Sequence, residues 1–432
     1  MTLLWAPAAW LDGRWQTSVL LAADAAGRWQ SIEAGRSAPE RATRLAGPAL
    51  PGLVNAHSHA FQRAFVGRAE RRQSAHDDFW SWRDRMYGVA LTITPDALRE
   101  LATGLYRELL AGGYTQVCEF HYLHHAEDGS RYADALAMSR ALADAAVAAG
   151  IGLTLLPVLY ERAGFTQPAL RPDQRRFATS AADVLAMRDA IRGWRLPRVD
   201  AGVAIYSLRA ASPQSMRTLV DALAGDAGPI HIHVAEQTGE VEDCLAATGA
   251  RPIEWLAREF ALDARWQLVH ATHATADEIA AVATAGAGVV ICPSTEANLG
   301  DGVPDLPRWL EQGVPLAIGS DSQVSRSAAE ELRWLEYAQR LALRRRNVGA
   351  DPARFEGSTG ARLFDACLAG GAAAAGFTRW GLVAGARADL LVLDTQAAGL
   401  AGADLADTLD AWIFATDAPA VAQTWVAGRR VR

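Results

Sequence analysis

The chain has 432 residues, half of them hydrophobic, with a net charge of −7. That length and composition leave room for a large α/β domain with its own core plus a smaller domain. The acidic balance, with no basic run interleaved with aromatics, excludes a general nucleic-acid surface, and no stretch approaches the ~20 apolar residues of a membrane span.

Residues 1–50 read as short strands broken by Gly, Asp and Pro, after an N-terminus that lacks the basic start and long apolar core of a signal peptide. From Leu53 the texture changes. Short apolar runs alternate with amphipathic stretches. The runs are Leu53-Val54, then 115–120, 151–156, 201–205, 229–234, 267–270, 288–292 and 315–319. Helical patterns lie between them, as over 96–111 and 330–346. Eight strands alternating with helices predict a closed parallel (β/α)8 barrel over 51–380. A doubly wound open sheet fits less well, because no GxGxxG follows the first strand. After Gly381 short strands return, around 388–394 and 422–428. The two ends, 1–50 and 381–432, are therefore expected to pair into one small β-sandwich domain. Four widely spaced cysteines, Cys118, Cys244, Cys292 and Cys367, suit a reducing cytoplasm better than a disulfide framework.

Barrel active sites gather at the C-terminal ends of the strands. Strand one ends in His57 and His59, strand two in Glu119, His121 and Tyr122, and strand four in Tyr206-Ser207-Leu208-Arg209. Strand five ends in His231, His233 and Glu236, strand six in His270 and His273, and strand eight in Ser320-Asp321-Ser322. Each residue has an ordinary explanation by itself. His-x-His suits a polar turn, Asp321 a helix cap, His231 a satisfied core position, and His124, His125 and His273 the surface. Four strand ends that all carry ligand types are another matter. Such residues suit a divalent metal like Zn²⁺ with one position left for water. All 42 basic residues are arginine, so a carboxylated lysine between two metals is excluded.

This pattern resembles the amidohydrolase superfamily, and HVAE at 233–236 resembles its mononuclear deaminase branch. NAHSHAFQRA, FWSWRDRMY, EFHYLHH, SLRA, HVAEQ and SDSQVS with EELRWLEY are similar to the branch that hydrolyses N-formimino-L-glutamate to N-formyl-L-glutamate and ammonia in histidine degradation. The resemblance spans the barrel and both flanks. It implies one divalent metal, Zn²⁺, on His57, His59, His233 and Asp321. Asp321 is implied to take a proton from water, Glu236 to shuttle protons to the leaving nitrogen, and His270 to polarise the reacting centre from outside the metal's ligand set. It places Arg83 and Arg209, assisted by Gln62, Tyr122 and Tyr206, on a small dicarboxylate substrate. The arginine fork suits carboxylates, although an ion pair of Arg83 with Asp84 or Glu70 is the plain alternative. A cytoplasmic homodimer with neither nucleic-acid nor membrane partners is also implied. The sequence departs from that branch at Tyr206 and Gln323, where histidine is frequent. Two other readings compete: a deaminase of a purine, pyrimidine or nucleoside, with Trp80 and Trp82 as stacking surfaces, and a catalytically dead scaffold. The second loses force because every ligand type is present. Residues 61–90, aromatic-rich and following strand one, are the candidate cover of the site.

Overall fold

The computed structural model describes residues 2–72 and 77–432. Eight parallel strands form the barrel: β1 Leu53–Ser58, β2 Tyr114–His121, β3 Gly152–Leu159, β4 Val203–Ser207, β5 Ile230–Val234, β6 Trp266–His270, β7 Gly288–Ile291 and β8 Leu316–Ile318. Every residue in them is buried. That is why they read as apolar runs and not as alternating patterns: helices cover the outside and side chains fill the inside. A short strand, Val199–Ala201, joins the edge of β3.

Closure is made between the two strands most distant in sequence. Ser58 and Asp321 form a parallel bridge, with Asp321 N donating to His57 O at 3.0 Å and His59 N donating to Asp321 O at 3.2 Å. Asn55 holds the same seam from its side chain, bonding both the backbone and the hydroxyl of Ser320 at 2.9 and 2.7 Å. Gly319 lies against His57, and a Cβ there would stand 2.7 Å from the His57 Cβ.

The helices begin where capping chemistry starts them. Thr94 caps Pro95–Ala111 by accepting from Ala97 N, with proline at the first helical position. Ser327 does the same for Ala328–Leu343, which stops at Arg344 in the left-handed conformation, leaving Arg344, Arg345 and Arg346 exposed as a solvated helix end. The C-terminal end of helix Thr359–Ala374 forms the barrel floor. Its Ala374 carbonyl accepts from His231 Nε2 at 2.8 Å and from Cys118 Sγ at 3.6 Å. His231 is thus a core histidine, one layer below the rim.

The chain ends pair in one eight-stranded sheet rather than in two separately paired layers. Its order is Arg429–Arg430, Val421–Val426, Leu390–Leu393, Ala49–Leu50, Thr2–Leu11, Arg14–Ala23 and Trp29–Glu33, with Thr43–Arg44 beside Thr2–Leu11. Leu391 opposite Leu50 joins the two ends, and Leu4, Leu21, Trp29, Leu390 and Trp425 give the sheet its own apolar layer. The stretch 61–90 contains a 3-10 turn, Ala60–Ala64, and the helix Phe79–Ala90, while 73–76 lie outside the described residues.

Gly319→Ala is expected to force β8 away from β1. Urea denaturation should show a loss of about 1–3 kcal/mol together with weakened metal retention. Unchanged stability and retention would mean that the seam is not tightly packed.

Candidate metal centre and active site

Three imidazoles and one carboxylate meet at the C-terminal rim beside the seam. His57 Nε2 stands 3.0 Å from His233 Nε2, and Asp321 Oδ1 lies 3.4 Å from His57 Nε2 and 3.3 Å from His59 Nε2. Among the described residues His57 belongs to two overlapping triads of potential ligand atoms, each within 4.8 Å: His57–His59–Asp321 and His57–His233–His270. Burial keeps the imidazoles neutral. It lowers His57 to about 3 and drives His59 and His233 below the ordinary histidine value. Burial works in the opposite direction on Asp321, but His57, then His59 and His270, hold it ionised below the usual carboxylate range. His59 Nδ1 donates to the Phe120 carbonyl at 2.8 Å, which leaves its Nε2 lone pair facing the cluster. Neutral imidazoles with inward lone pairs beside an ionised carboxylate are the donor set that a divalent cation requires.

The turn carrying His57 and His59 is braced from behind. Ser58 Oγ donates to Glu119 Oε2 at 2.9 Å, Ala60 N to Glu119 Oε1 at 2.5 Å, and Tyr106 OH to Oε2 at 3.3 Å. Gln323 Nε2 reaches Ser58 Oγ at 3.0 Å and Asp321 O at 2.7 Å, while Ser320 Oγ donates to Gln323 Oε1 at 2.8 Å. Five non-glycine residues around the rim take positive φ: Ala235, His270, Ala271, Asp321 and Gln323. Such strained backbone persists only where its surroundings hold it in place, and it concentrates at functional sites.

His270 sits between acids. Its Nε2 is 3.6 Å from Glu236 Oε1 and 3.8 Å from Asp321 Oδ2, and its Nδ1 is 3.3 Å from Glu296 Oε1. Burial opposes charge on His270, but Glu236, Cys292 and Glu296 hold its pKa well above the ordinary value. Burial pushes Glu236 up to about 7, with Asp321 and Glu240 adding and His270 and Arg209 opposing. A carboxyl poised there can both take and give a proton near neutrality.

Beyond the ligands lies a cavity of about 400 Å³ lined by Trp80, Arg83, Arg171 and Arg209, among others. Two guanidinium groups lie against Trp80, with Arg83 Cζ 4.7 Å and Arg209 Cζ 5.2 Å from its ring centroid. Arg209 is buried and makes no ion pair among the described residues. Burial works against its charge, but Glu240 and nearby tyrosines raise its pKa above the ordinary arginine value. Arg83 has only a loose contact with Asp84, at 3.5 Å, and Glu70 accepts from Asn298 instead. Tyr206 links the two regions: its ring centroid is 5.2 Å from that of His233 and 5.9 Å from Arg209 Cζ. Gln62 Nε2 donates to Tyr122 OH at 3.0 Å, and its buried Oε1 has no partner among the described residues.

Comparison with known proteins agrees with this geometry. The model of the amidohydrolase family matches residues 49–431. The chain belongs to the amidohydrolase family. It is 46% identical to the formimidoylglutamate deiminase of Pseudomonas aeruginosa, over all of this chain and 94% of that protein. It superposes on the crystal structure of an amidohydrolase from Brucella melitensis with a TM-score of 0.93 and 43% identity, covering 100% of this chain and 94% of that one. An adenosine deaminase from Xanthomonas campestris with bound zinc shares the fold at a TM-score of 0.80, 23% identity, and 99% and 92% coverage.

Of the residues singled out in the sequence of this amidohydrolase, His57, His59, His233, Glu236, His270 and Asp321 meet at the rim, Arg83 and Arg209 line the adjoining cavity, and Gln62, Tyr122 and Tyr206 lie beside them. His231 points to the floor, and His125 Nε2 donates to the Ala178 carbonyl at 2.7 Å. His124, expected at the surface, is buried with His121, their ring centroids 4.7 Å apart. Trp82 packs against Phe65 and Phe79 and does not line the cavity. Gln323 lies behind the ligands and not toward the cavity, so its departure from the related branch alters the bracing of the ligands. Glu296 was missed because strand seven ends in plain PSTEAN. Applying the strand-end rule to that strand too would have found Glu296.

His233→Ala is expected to abolish metal retention, and His231→Ala to preserve it, by elemental analysis of protein expressed with zinc. The reverse pattern would move the ligand down one layer. Glu119→Gln should weaken metal affinity by roughly 10–100-fold in chelator competition; unaltered affinity would remove Glu119 from the bracing.

Proposed function

We propose that this amidohydrolase converts N-formimino-L-glutamate and water to N-formyl-L-glutamate and ammonia, a step of histidine degradation. The observation that carries the reading is the pair of buried guanidinium groups about Trp80, Arg209 without a carboxylate partner, beside the histidine cluster. A charged, unpaired, buried arginine is costly unless an anion completes it. The likeness to formimidoylglutamate deiminase over the full chain supports the same substrate.

Zn²⁺ held by His57, His59, His233 and Asp321 would supply Lewis acidity, bringing the pKa of water toward ~7. The side chains do the rest. Arg209 and Arg83 bind the glutamate carboxylates, and Gln62, Tyr122 and Tyr206 orient the formimino group. Asp321 accepts one proton from the attacking water as its oxygen bonds to the formimino carbon. Glu236 protonates the imino nitrogen to an amine and, recharged with the proton that Asp321 took, protonates that amine in turn, so that the C–N bond breaks with release of neutral ammonia. The proton left on the new hydroxyl returns to the carboxylates as the formyl carbonyl forms. His270, held by Glu236 and Glu296, stabilises the charge developing on the oxygen.

In this reading residues 51–380 are the catalytic domain, and 1–50 with 381–432 are a small β domain. The four cysteines are free and buried, in keeping with a reducing cytoplasm, and no helix among the described residues is long and apolar enough to cross a membrane. A homodimer is the assembly that the similarity suggests.

Trp80 lining the cavity could also favour a flat base, which sets the test. Arg209→Met should raise KM for N-formimino-L-glutamate by about 10–100-fold without creating turnover of adenosine or guanine. An unchanged KM, or better turnover of a base, would contradict the assignment. Glu236→Gln should keep its metal and lose about 10²–10⁴ in kcat. Near-normal turnover would remove Glu236 as the proton shuttle.

A further inference from the structure

A second group of arginines lies at the opposite end of the barrel. A cavity of about 480 Å³ between the chain-end sheet and the N-terminal ends of β2 and β3 is lined by Arg28, Arg198, Arg379, Arg387 and Arg429. Asp200 is the one acidic lining residue, and Arg192 already engages it at 3.3 Å. Such a gathering of guanidinium groups in a protein of net charge −7 is not a general surface property.

The arrangement is built. Arg28 and Arg387 oppose each other across an antiparallel bridge, a pairing that like charges disfavour. Arg387 is fixed by Asp389, by Gln116 Oε1 at 2.8 Å and by the Thr115 carbonyl at 3.1 Å. Any side chain at Gly152 would collide with that guanidinium group. Arg198 sits in the left-handed region at φ 65°. It makes no ion pair among the described residues, and its Nε is buried without a partner. Burial, then Arg387 and Arg429, push its pKa down, with Asp389 opposing. Among the described residues, Arg28 and Arg379 hydrogen-bond through their side chains only to the carbonyls of Gly385 and Ala384, and Arg429 has no ion pair. Mutual repulsion around this cavity, at which Arg28, Arg379 and Arg429 are exposed, is relieved by an anion with several oxygens, which guanidinium forks bind bidentately.

We propose that this cavity is a binding site for a compact multivalent oxyanion, phosphate- or carboxylate-based, held chiefly by Arg198, Arg387 and Arg429 and separate from the catalytic rim.

The test is isothermal titration calorimetry on the metal-loaded full chain at low ionic strength, with inorganic phosphate and, separately, tricarballylate. It compares the wild type with Arg198→Met/Arg429→Gln and with Arg429→Gln alone. Neither residue makes an ion pair, so both variants should fold, which circular dichroism checks. Saturable binding of either anion is expected, weakened about tenfold or more in the double variant while turnover stays unchanged. Tighter phosphate binding would identify a phosphate-bearing ligand, and tighter tricarballylate binding a polycarboxylate; both support the site. No saturable binding, or equal binding by wild type and variants, would overturn it. So would a subunit association that depends on the same arginines, because a neighbouring chain's carboxylates would then fill the cavity.

Discussion

The seam between the first and last barrel strands carries the rest of the structure. Two backbone hydrogen bonds, from Asp321 N to His57 O and from His59 N to Asp321 O, close the sheet. The same residues present the candidate ligand atoms, so closure of the fold and assembly of that cluster are one event. An open sheet would leave Asp321 far from His57. Precise sites belong on rigid elements, and this one sits on the most constrained junction of the barrel.

Around the seam, polar groups divide by task. Glu119, Gln323, Asn55 and Ser320 are buried behind the candidate ligands and hydrogen-bond protein groups there. Glu236, His270 and Glu296 form a chain of titratable groups on the other side, where burial raises Glu236 and neighbouring acids raise His270. Pushing the pKa values of adjacent groups apart assigns them different protonation roles at one pH. The arginines about Trp80 add a local positive field that the overall charge of −7 would otherwise oppose.

Much of this was legible in the chain. Buried parallel strands leave continuous apolar runs, and eight of them spaced by helices leave few architectures. The His-x-His, His-x-x-Glu and Ser-Asp-Ser stretches announced the rim because each follows a strand. Other features could not be read in this way. That His231 faces the floor depends on the Ala374 carbonyl, 143 residues away. The role of Gln323 follows from its left-handed backbone and its reach back to Ser58, both products of tertiary packing. Glu296 lies in a short helix whose sequence carries no catalytic signature, and His124 is buried under a loop anchored by Arg176. The single sheet made by the chain ends follows from long-range pairing, which short strands do not specify one at a time.

One reaction decides the assignment of this enzyme. Metal-replete protein incubated with N-formimino-L-glutamate, with ammonia and N-formyl-L-glutamate followed together, tests it directly. Equimolar appearance of both products is the predicted result. Ammonia without N-formyl-L-glutamate, or no ammonia at all from protein that retains its metal, would contradict it.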